Sequence, residues 1–204
     1  MDDKGDQTGI RGEEAQMKIC IDPGHGGTDP GAVGLYGTKE SVINLQVAYR
    51  LKAMALHFGY GAYLTREGDV FIPLEERGLI ANRDKATCFI SLHCNGHPNR
   101  NAWGLEVWTT KGKTKSDPLG QHIATQLKGC FTAPFRADLS DGDLDKEANY
   151  RVLVTANCPA VLIEMGFLSH PTTESLLKTA THQEHLAGAI LRGIQSWAVS
   201  CRVR

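Results

Sequence analysis

Apolar residues along the chain occur in short unbroken runs, which alternate with longer stretches in which they recur every three to four positions. Three runs, MKICID at 17–22, TCFISLH at 87–93 and PAVLIE at 159–164, have no polar alternation. Such runs are typical of strands that are buried on both faces of a parallel sheet. The runs GAYLT at 61–65 and LEVWT at 105–109 predict two further strands.

The stretches between these strands have the spacing of amphipathic helices. In the first stretch Thr38 has the chemistry of an N-cap, Glu40 falls in the first turn, and Gly59 is expected to end the helix. Because strands and helices alternate along the chain, we predict an α/β fold with a mostly parallel sheet and right-handed crossovers. Helices are predicted at 38–58, 73–85, 118–131, 172–178 and 182–199.

Length and charge narrow the class of protein. The 204 residues suit one domain, and 22 basic against 23 acidic residues leave a net charge of -1. This balance gives no overall attraction to nucleic acid or to an anionic membrane. No apolar run is long enough to span a membrane. Residues 1–16 are polar and lack the apolar segment of a secretory signal peptide, so we expect a flexible arm followed by one domain over 17–204.

The six cysteines do not form an obvious disulfide framework. A chain of this length buries a core without cross-links, so an even cysteine count is weak support for disulfides. If Cys88 and Cys94 lie on one strand, they are roughly 20 Å apart, which is beyond the reach of a disulfide. We therefore predict that most of the cysteines are buried free thiols, as in a chain made in a reducing compartment.

Candidate functional side chains follow three of the predicted strands. His25 lies in DPGHGG after the first strand, His93 ends the third, and Glu164 ends the fifth. Because ligands of open α/β sheets bind outside the carboxyl ends of the strands, these side chains are expected to converge. Taken singly, His25 has the pattern of a turn residue and His93 that of a core residue. Burial of the Glu164 carboxylate is costly unless it is paired or linked to a metal, which favours a function for this residue. Glu40 alone reads as a first-turn carboxylate that favours the helix dipole.

Two imidazoles and one carboxylate form the kind of three-ligand set that catalytic zinc sites use, with a fourth position for water. A second carboxylate can then take a proton from that water and return it to the leaving amine. Apolar neighbours should raise the pKa of Glu164 toward this task. Asp22 and Asp29 are candidate acceptors for the second nitrogen of each imidazole. His182 and His185 are expected on a solvated helix face.

Four segments carry a resemblance to a known family: IDPGHGGTDPGAVG, the KES that follows it, ANRDKATCFISLHCN and PAVLIEMGFLSHPTTE. The chain from 17 to about 199 resembles the zinc-dependent N-acetylmuramoyl-L-alanine amidases with a His-Glu-His metal site. The resemblance implies a catalytic domain over 17–204 with a twisted, mixed sheet flanked by helices. It also implies that His25, Glu40 and His93 bind one Zn2+ ion with a bound water, and that Glu164 is the catalytic residue. The implied reaction is hydrolysis of the amide between N-acetylmuramic acid and L-alanine in peptidoglycan.

Three features bear on how this chain would differ from its relatives. Cys94 follows His93 where a small residue is expected, so its thiol is a candidate extra ligand or a site of oxidation. The region 111–120 is too short to hold an inserted helix that plugs the site, which predicts activity without an activator. The loop 131–146 is expected to set the stem-peptide preference. We expect the protein to act as a monomer.

Two other functions fit the same residues. A zinc carboxypeptidase-type peptidase on a similar fold would apply the same metal chemistry to a peptide bond. A non-catalytic wall-binding module would not need Glu164 beside a metal. An amidase would act at the bacterial cell wall, although no export signal is present. A phage-type lysin made in the cytoplasm, or a trimmed form of an exported amidase, would account for this.

Overall fold

A computed structural model describes residues 17–140 and 142–202 of the chain. The arm expected at 1–16 lies outside the described residues. The strands in the described part are β1 (Lys18–Pro23), β2 (Gly61–Leu64), β3 (Cys88–Asn95), β4 (Glu106–Thr109), β5 (Lys146–Glu147) and β6 (Ala160–Phe167). The helices are α1 (Glu40–His57), α2 (Leu74–Arg83), α3 (Asp117–Cys130), α4 (Arg151–Thr155), α5 (Pro171–Leu177) and α6 (Ala180–Ser200).

The strands form one mixed sheet in the order β2-β1-β3-β6-β4-β5. β2, β1, β3 and β6 are parallel, whereas β4 is antiparallel to β6. The last strand, β5, is parallel to β4 and has only two residues. The predicted α/β fold with a mostly parallel, mixed sheet is therefore confirmed.

Local predictions differ from the structure in three places. Lys39, not Thr38, is the N-cap of α1, and no side chain caps this helix end. Two elements, β5 and α4, were not predicted, because two and five residues are too few to show a period. The strands β3 and β6 continue to Asn95 and Phe167, beyond their predicted ends at His93 and Glu164.

Helices cover both faces of the sheet. The larger core lies between the sheet and helices α1, α3 and α6, and includes Ile90 of β3. The smaller core lies on the other face between the sheet and helices α2 and α4, and includes Phe89 of β3. No helix in the described ranges is long and apolar enough to cross a membrane.

The sheet face that carries the smaller core changes from apolar to polar toward the carboxyl ends of β3 and β6. On β3 Phe89 is followed on the same face by His93, and on β6 Leu162 is followed by Glu164. Because β4 runs in the opposite direction, its first residue, Glu106, pairs with Glu164. His93 pairs with Glu164 from the other side. The fold therefore aligns three polar side chains in one row across three neighbouring strands.

All six cysteines are free thiols, as predicted, but only three of them are buried, so the prediction that most are buried was wrong. Burial raises the pKa of the Cys158 thiol to about 11, which favours the protonated form at neutral pH. The buried cysteines are Cys20, Cys88 and Cys94, the half-buried one is Cys158, and the exposed ones are Cys130 and Cys201.

Candidate metal centre and neighbouring carboxylate

The fold brings His25, Glu40 and His93 together into one group. Each offers a ligand atom, and these atoms all lie within 4.8 Å of one another. The Glu40 Oε1 atom is 3.2 Å from His25 Nε2 and 2.9 Å from His93 Nδ1. The two imidazole rings are nearly perpendicular, with centroids 4.9 Å apart. This geometry can hold a metal ion.

A strained, glycine-rich loop presents His25 after β1. The φ angle of His25 is +61°, which is uncommon for a residue with a side chain, and Gly26 and Gly27 also have positive φ angles. At Gly24 the loop passes directly over the other imidazole, since an added Cβ would lie 2.2 Å from His93 Cε1. The glycines of DPGHGG are thus required both for their conformation and for their lack of side chains.

Two buried arginines hold this loop by its backbone carbonyls. Arg77 of α2 donates to the carbonyl oxygens of Pro23 and His25, both at 2.9 Å. Arg66 donates to the carbonyl oxygens of Pro23 and Gly24 at 2.8 and 2.9 Å. The loop therefore rests on two cations that are themselves in the interior.

Asp22 and Asp29 have different roles, although both were candidates for orienting an imidazole. Asp29 Oδ2 is 2.7 Å from His25 Nδ1, so it can fix the tautomer that leaves Nε2 facing Glu40. The prediction was wrong for Asp22, which accepts hydrogen bonds from Arg77, Thr65 and Ser91. Asp22 neutralises the arginine that supports the loop.

Glu40 is held as a carboxylate by its surroundings. Its Oε2 atom accepts a hydrogen bond from the backbone of Ala32, and Oε1 accepts one from the backbone of Cys94. Burial alone would raise the pKa of Glu40. The hydrogen bonds with His25 and His93 lower it by more than burial raises it, so the pKa of Glu40 lies well below the usual range. For His25, burial lowers the pKa, and interactions with Glu40 and Asp29 outweigh this and raise its pKa to about 9.

Glu164 lies beside this group and differs from it in its environment. Its Oε2 atom is buried and has no hydrogen-bond partner among the described residues. Burial first, and then the charges of Glu40 and Glu106, raise the pKa of Glu164 well above its usual value. An unsatisfied buried carboxyl oxygen destabilises a folded protein, so its presence indicates a functional role. Glu164 is therefore the group beside the centre that is best suited to accept and release a proton.

Two other sequence candidates lie elsewhere. Cys94 is buried in the larger core on the opposite face of the sheet from His93, so the structure does not support its thiol as an extra ligand. Burial raises the pKa of the Cys94 thiol well above its usual value. His182 and His185 lie on α6, outside the metal group; His182 is half-buried against the Phe131 ring, whereas His185 is exposed.

Sequence reasoning missed Glu106, a buried carboxylate next to Glu164. Its Oε1 atom accepts hydrogen bonds from Arg136 and Lys146 at 2.7 and 3.0 Å. Its Oε2 atom accepts hydrogen bonds from Trp108 and Asn95 at 3.1 and 3.4 Å. The signal that could have revealed Glu106 is the same one that revealed Glu164: a carboxylate within an apolar strand.

A comparison with known families bears on what this site does. The profile of the N-acetylmuramoyl-L-alanine amidase family, Amidase_3, matches residues 19–196. The chain belongs to this family. The match spans β1 through most of α6 and includes the three residues of the metal group and the neighbouring Glu164.

Individual amidases agree with this assignment. The amidase AmiC of Escherichia coli O6:H1 is 32% identical, over 95% of this chain and 55% of that protein, so the chain spans about half of that relative's length. The amidase AmiA of Escherichia coli K12 is 30% identical, over 88% of this chain and 75% of that protein. The solved amidase AmiC2 of Nostoc punctiforme is 32% identical, with a TM-score of 0.82 over 90% of this chain and 97% of that one. An amidase structure from Clostridium difficile 630 has a TM-score of 0.84 at 31% identity, over 91% of this chain and 98% of that one.

Proposed function

We propose that this protein is a zinc-dependent hydrolase that cuts the amide bond between N-acetylmuramic acid and L-alanine in peptidoglycan. The observation that carries the proposal is the group of His25, Glu40 and His93 beside Glu164, whose buried Oε2 atom has no hydrogen-bond partner in the part of the chain that the structure describes. Membership of the N-acetylmuramoyl-L-alanine amidase family supports the choice of bond.

The donor set fits one zinc ion. Two imidazole nitrogens and one carboxylate oxygen are the ligands of many catalytic zinc sites, in which a fourth position stays open. His25 would bind through Nε2, because Nδ1 is engaged by Asp29. His93 would bind through Nδ1, and Glu40 through Oε1. When bound, zinc supplies a Lewis acid that polarises the scissile carbonyl and makes a nearby water more acidic.

Glu164 moves the proton in the proposed reaction. Its carboxylate accepts a proton from the attacking water, whose oxygen forms a bond to the carbonyl carbon. The carbon–nitrogen bond then breaks, and the carboxyl proton passes to the nitrogen that leaves as the amine of L-alanine. The products are a lactyl carboxylate on the sugar and a free peptide amine. The raised pKa of Glu164 makes its carboxylate a better base for the first transfer and keeps the proton on it until the bond breaks.

The first test uses the purified chain, zinc and an N-acetylmuramoyl-peptide. Mass spectrometry should find an intact sugar with a lactyl carboxylate and a stem peptide whose L-alanine amine is free. Glu164→Gln should lower kcat by at least about 100-fold while retaining one zinc per chain. Glu184→Gln, an exposed change on α6, is the matched control and should leave kcat unchanged. Wild-type turnover by Glu164→Gln would refute the role of this residue.

The same measurement separates the two alternatives. A zinc carboxypeptidase-type peptidase would shorten the stem peptide and leave it attached to the sugar. A wall-binding module would bind peptidoglycan without releasing either product. We favour the amidase, because the family match names this bond and Glu164 would serve no purpose in simple binding.

Location and assembly form the remaining part of the proposal. An enzyme of this specificity acts at the bacterial cell wall. We propose that it acts as a monomer. We also propose that it acts without an activator, since only residues 110–116 connect β4 to α3, which leaves no room for an inserted helix that plugs the site. Activity of the purified chain alone at the mass of one protomer would support both statements.

A further inference from the structure

Next to Glu164 lies a charged cluster that the proposed chemistry does not use. It consists of Glu106 on β4, Arg136 in the loop before β5, and Lys146 on β5. Because Glu106 pairs with Glu164 across neighbouring strands, the cluster lies on the side of Glu164 that faces away from His93. We refer to these three residues as the cation cluster.

The cation cluster has one more positive than negative charge. The Glu106 side chain is only 3% exposed, and both cations bond to the same oxygen of it. One cation would suffice to neutralise a buried carboxylate, and Trp108 and Asn95 already satisfy its second oxygen. Among the described residues, no other carboxylate lies within ion-pair distance of Arg136 or Lys146. Lys146 also interacts electrostatically with Glu164 and Asp138, so Arg136 is the cation that has no carboxylate besides the shared Glu106 within ion-pair distance in the described part of the chain.

The two cations are held in place and still reach solvent. The Arg136 guanidinium lies 5.3 Å from the centroid of the Phe167 ring, and the Lys146 ammonium lies 4.9 Å from the centroid of the Trp108 ring. Their side chains are 43% and 21% exposed. Arg136 uses Nε for Glu106, and within residues 17–140 and 142–202 its two terminal nitrogens have no hydrogen-bond partner, so they remain for a ligand. A fixed, partly exposed guanidinium of this kind suits recognition of a carboxylate.

We propose that Arg136 and Lys146 form an anion subsite for a carboxylate on the stem peptide, just beyond the L-alanine that becomes the leaving amine. This inference rests on the proposed function. The sugar side of the scissile amide carries no negative charge, whereas the peptide side carries carboxylates. A positive subsite beside the proton-transferring Glu164 therefore fits the peptide side. It also gives the loop 131–146 a specific role in selecting stem peptides.

Two synthetic substrates test the proposal directly. The first is N-acetylmuramoyl-L-alanyl-γ-D-glutamyl-L-lysine, and the second is the same molecule with the α-carboxylate of its D-glutamyl residue converted to a carboxamide. The zinc-loaded wild type should prefer the carboxylate by about tenfold in kcat/KM, mainly through KM, as expected of one charge-assisted contact. Arg136→Gln should reduce the preference to less than about twofold, with little change for the carboxamide.

The matched control is Arg83→Gln, which removes an exposed arginine of α2 and should keep the full preference. Equal kcat/KM of the wild type for both substrates would overturn the proposal, and so would an equal loss on both in Arg136→Gln. If the wild type cleaves neither substrate, the proposed function fails. Calorimetry with the two free peptides, L-alanyl-γ-D-glutamyl-L-lysine and its carboxamide, then still decides the subsite. Tighter binding of the carboxylate peptide to wild type than to Arg136→Gln would support it, and equal binding would reject it.

Discussion

Replacement of Arg77 by leucine tests whether a buried ion pair holds the metal-binding loop. Arg77 is 2% exposed and its Nη1 atom is 2.9 Å from Oδ1 of Asp22, which is fully buried. In Arg77→Leu the Asp22 carboxylate keeps its hydrogen bonds from Thr65 and Ser91 but loses its cation. Breaking a buried pair in this way costs about 3–5 kcal/mol in unfolding free energy, because one charge stays buried without its partner.

The same helix supplies a matched control. Arg83 is 64% exposed and lies 3.6 Å from Glu76, so this pair is solvated and Arg83→Leu should cost less than about 1 kcal/mol. Addition of Asp22→Asn to Arg77→Leu removes the stranded charge and should restore about 1–2 kcal/mol. Zinc affinity should fall about tenfold in Arg77→Leu, because the carbonyl of His25 loses its donor.

Urea unfolding of the variants, each freed of zinc, measures these differences. A domain of this size has roughly 5–15 kcal/mol of stability, so the expected loss is large enough to measure and small enough to leave a folded protein. The reasoning is refuted if Arg77→Leu costs no more than Arg83→Leu, or if Asp22→Asn gives no recovery. Either result would mean that the loop is held by other contacts.

Three further predictions concern the metal group, the glycine beside it and the pH dependence of stability. His93→Ala should lose its zinc, so a full metal content by atomic absorption would remove His93 from the ligand set. Gly24→Ala places a Cβ 2.2 Å from His93 Cε1. It should lower zinc affinity by at least about tenfold and the unfolding free energy by about 1–3 kcal/mol. In the control Gly68→Ala the added Cβ meets no atom within 4 Å, so zinc affinity and stability should not change. Burial raises the pKa of Asp145 from 3.8 to about 7, so the folded protein binds a proton at Asp145 more tightly than the unfolded chain does. The contribution of this proton to the stability of the fold is full below pH 3.8 and is lost as the pH rises through about 7. Asp145→Asn should therefore gain about 2–4 kcal/mol relative to wild type between pH 4 and pH 8, and parallel pH profiles of the two proteins in urea would contradict this.

Much of the fold was predictable, because its strands are unbroken apolar runs. The same pattern located His93 and Glu164, since each ends such a run and parallel strands end at one edge of the sheet. Glu40 could not be found in this way, because a carboxylate in a first helical turn is common without any metal. Glu40 reaches the metal group because the chain turns between β1 and α1. From the sequence, only the resemblance to the amidase family indicated that Glu40 is a ligand.

Other features depend on contacts between distant segments and leave little local trace. The antiparallel direction of β4 cannot be read from four residues, yet it brings Glu106 opposite Glu164. Arg136 reaches Glu106 because the segment around Phe135 forms an isolated bridge with the residue before β4, at Leu105. The assignment of Asp22 to an imidazole was wrong for a similar reason, since its cation comes from α2, 55 positions further along the chain.

The glycine-rich loop cannot be varied in protein engineering, whereas another loop of the molecule can. At Gly24 and Gly31 any side chain would collide with His93 or Glu40, and both imidazole and carboxylate are within 3 Å of the space it would need. Random mutagenesis of this loop would mostly yield inactive clones, whatever substrate is selected for. The segment from Phe131 to Lys146 carries no residue of the metal group. Under the proposed anion subsite, a library confined to that segment would explore new stem-peptide specificities while leaving the residues of the metal group unchanged.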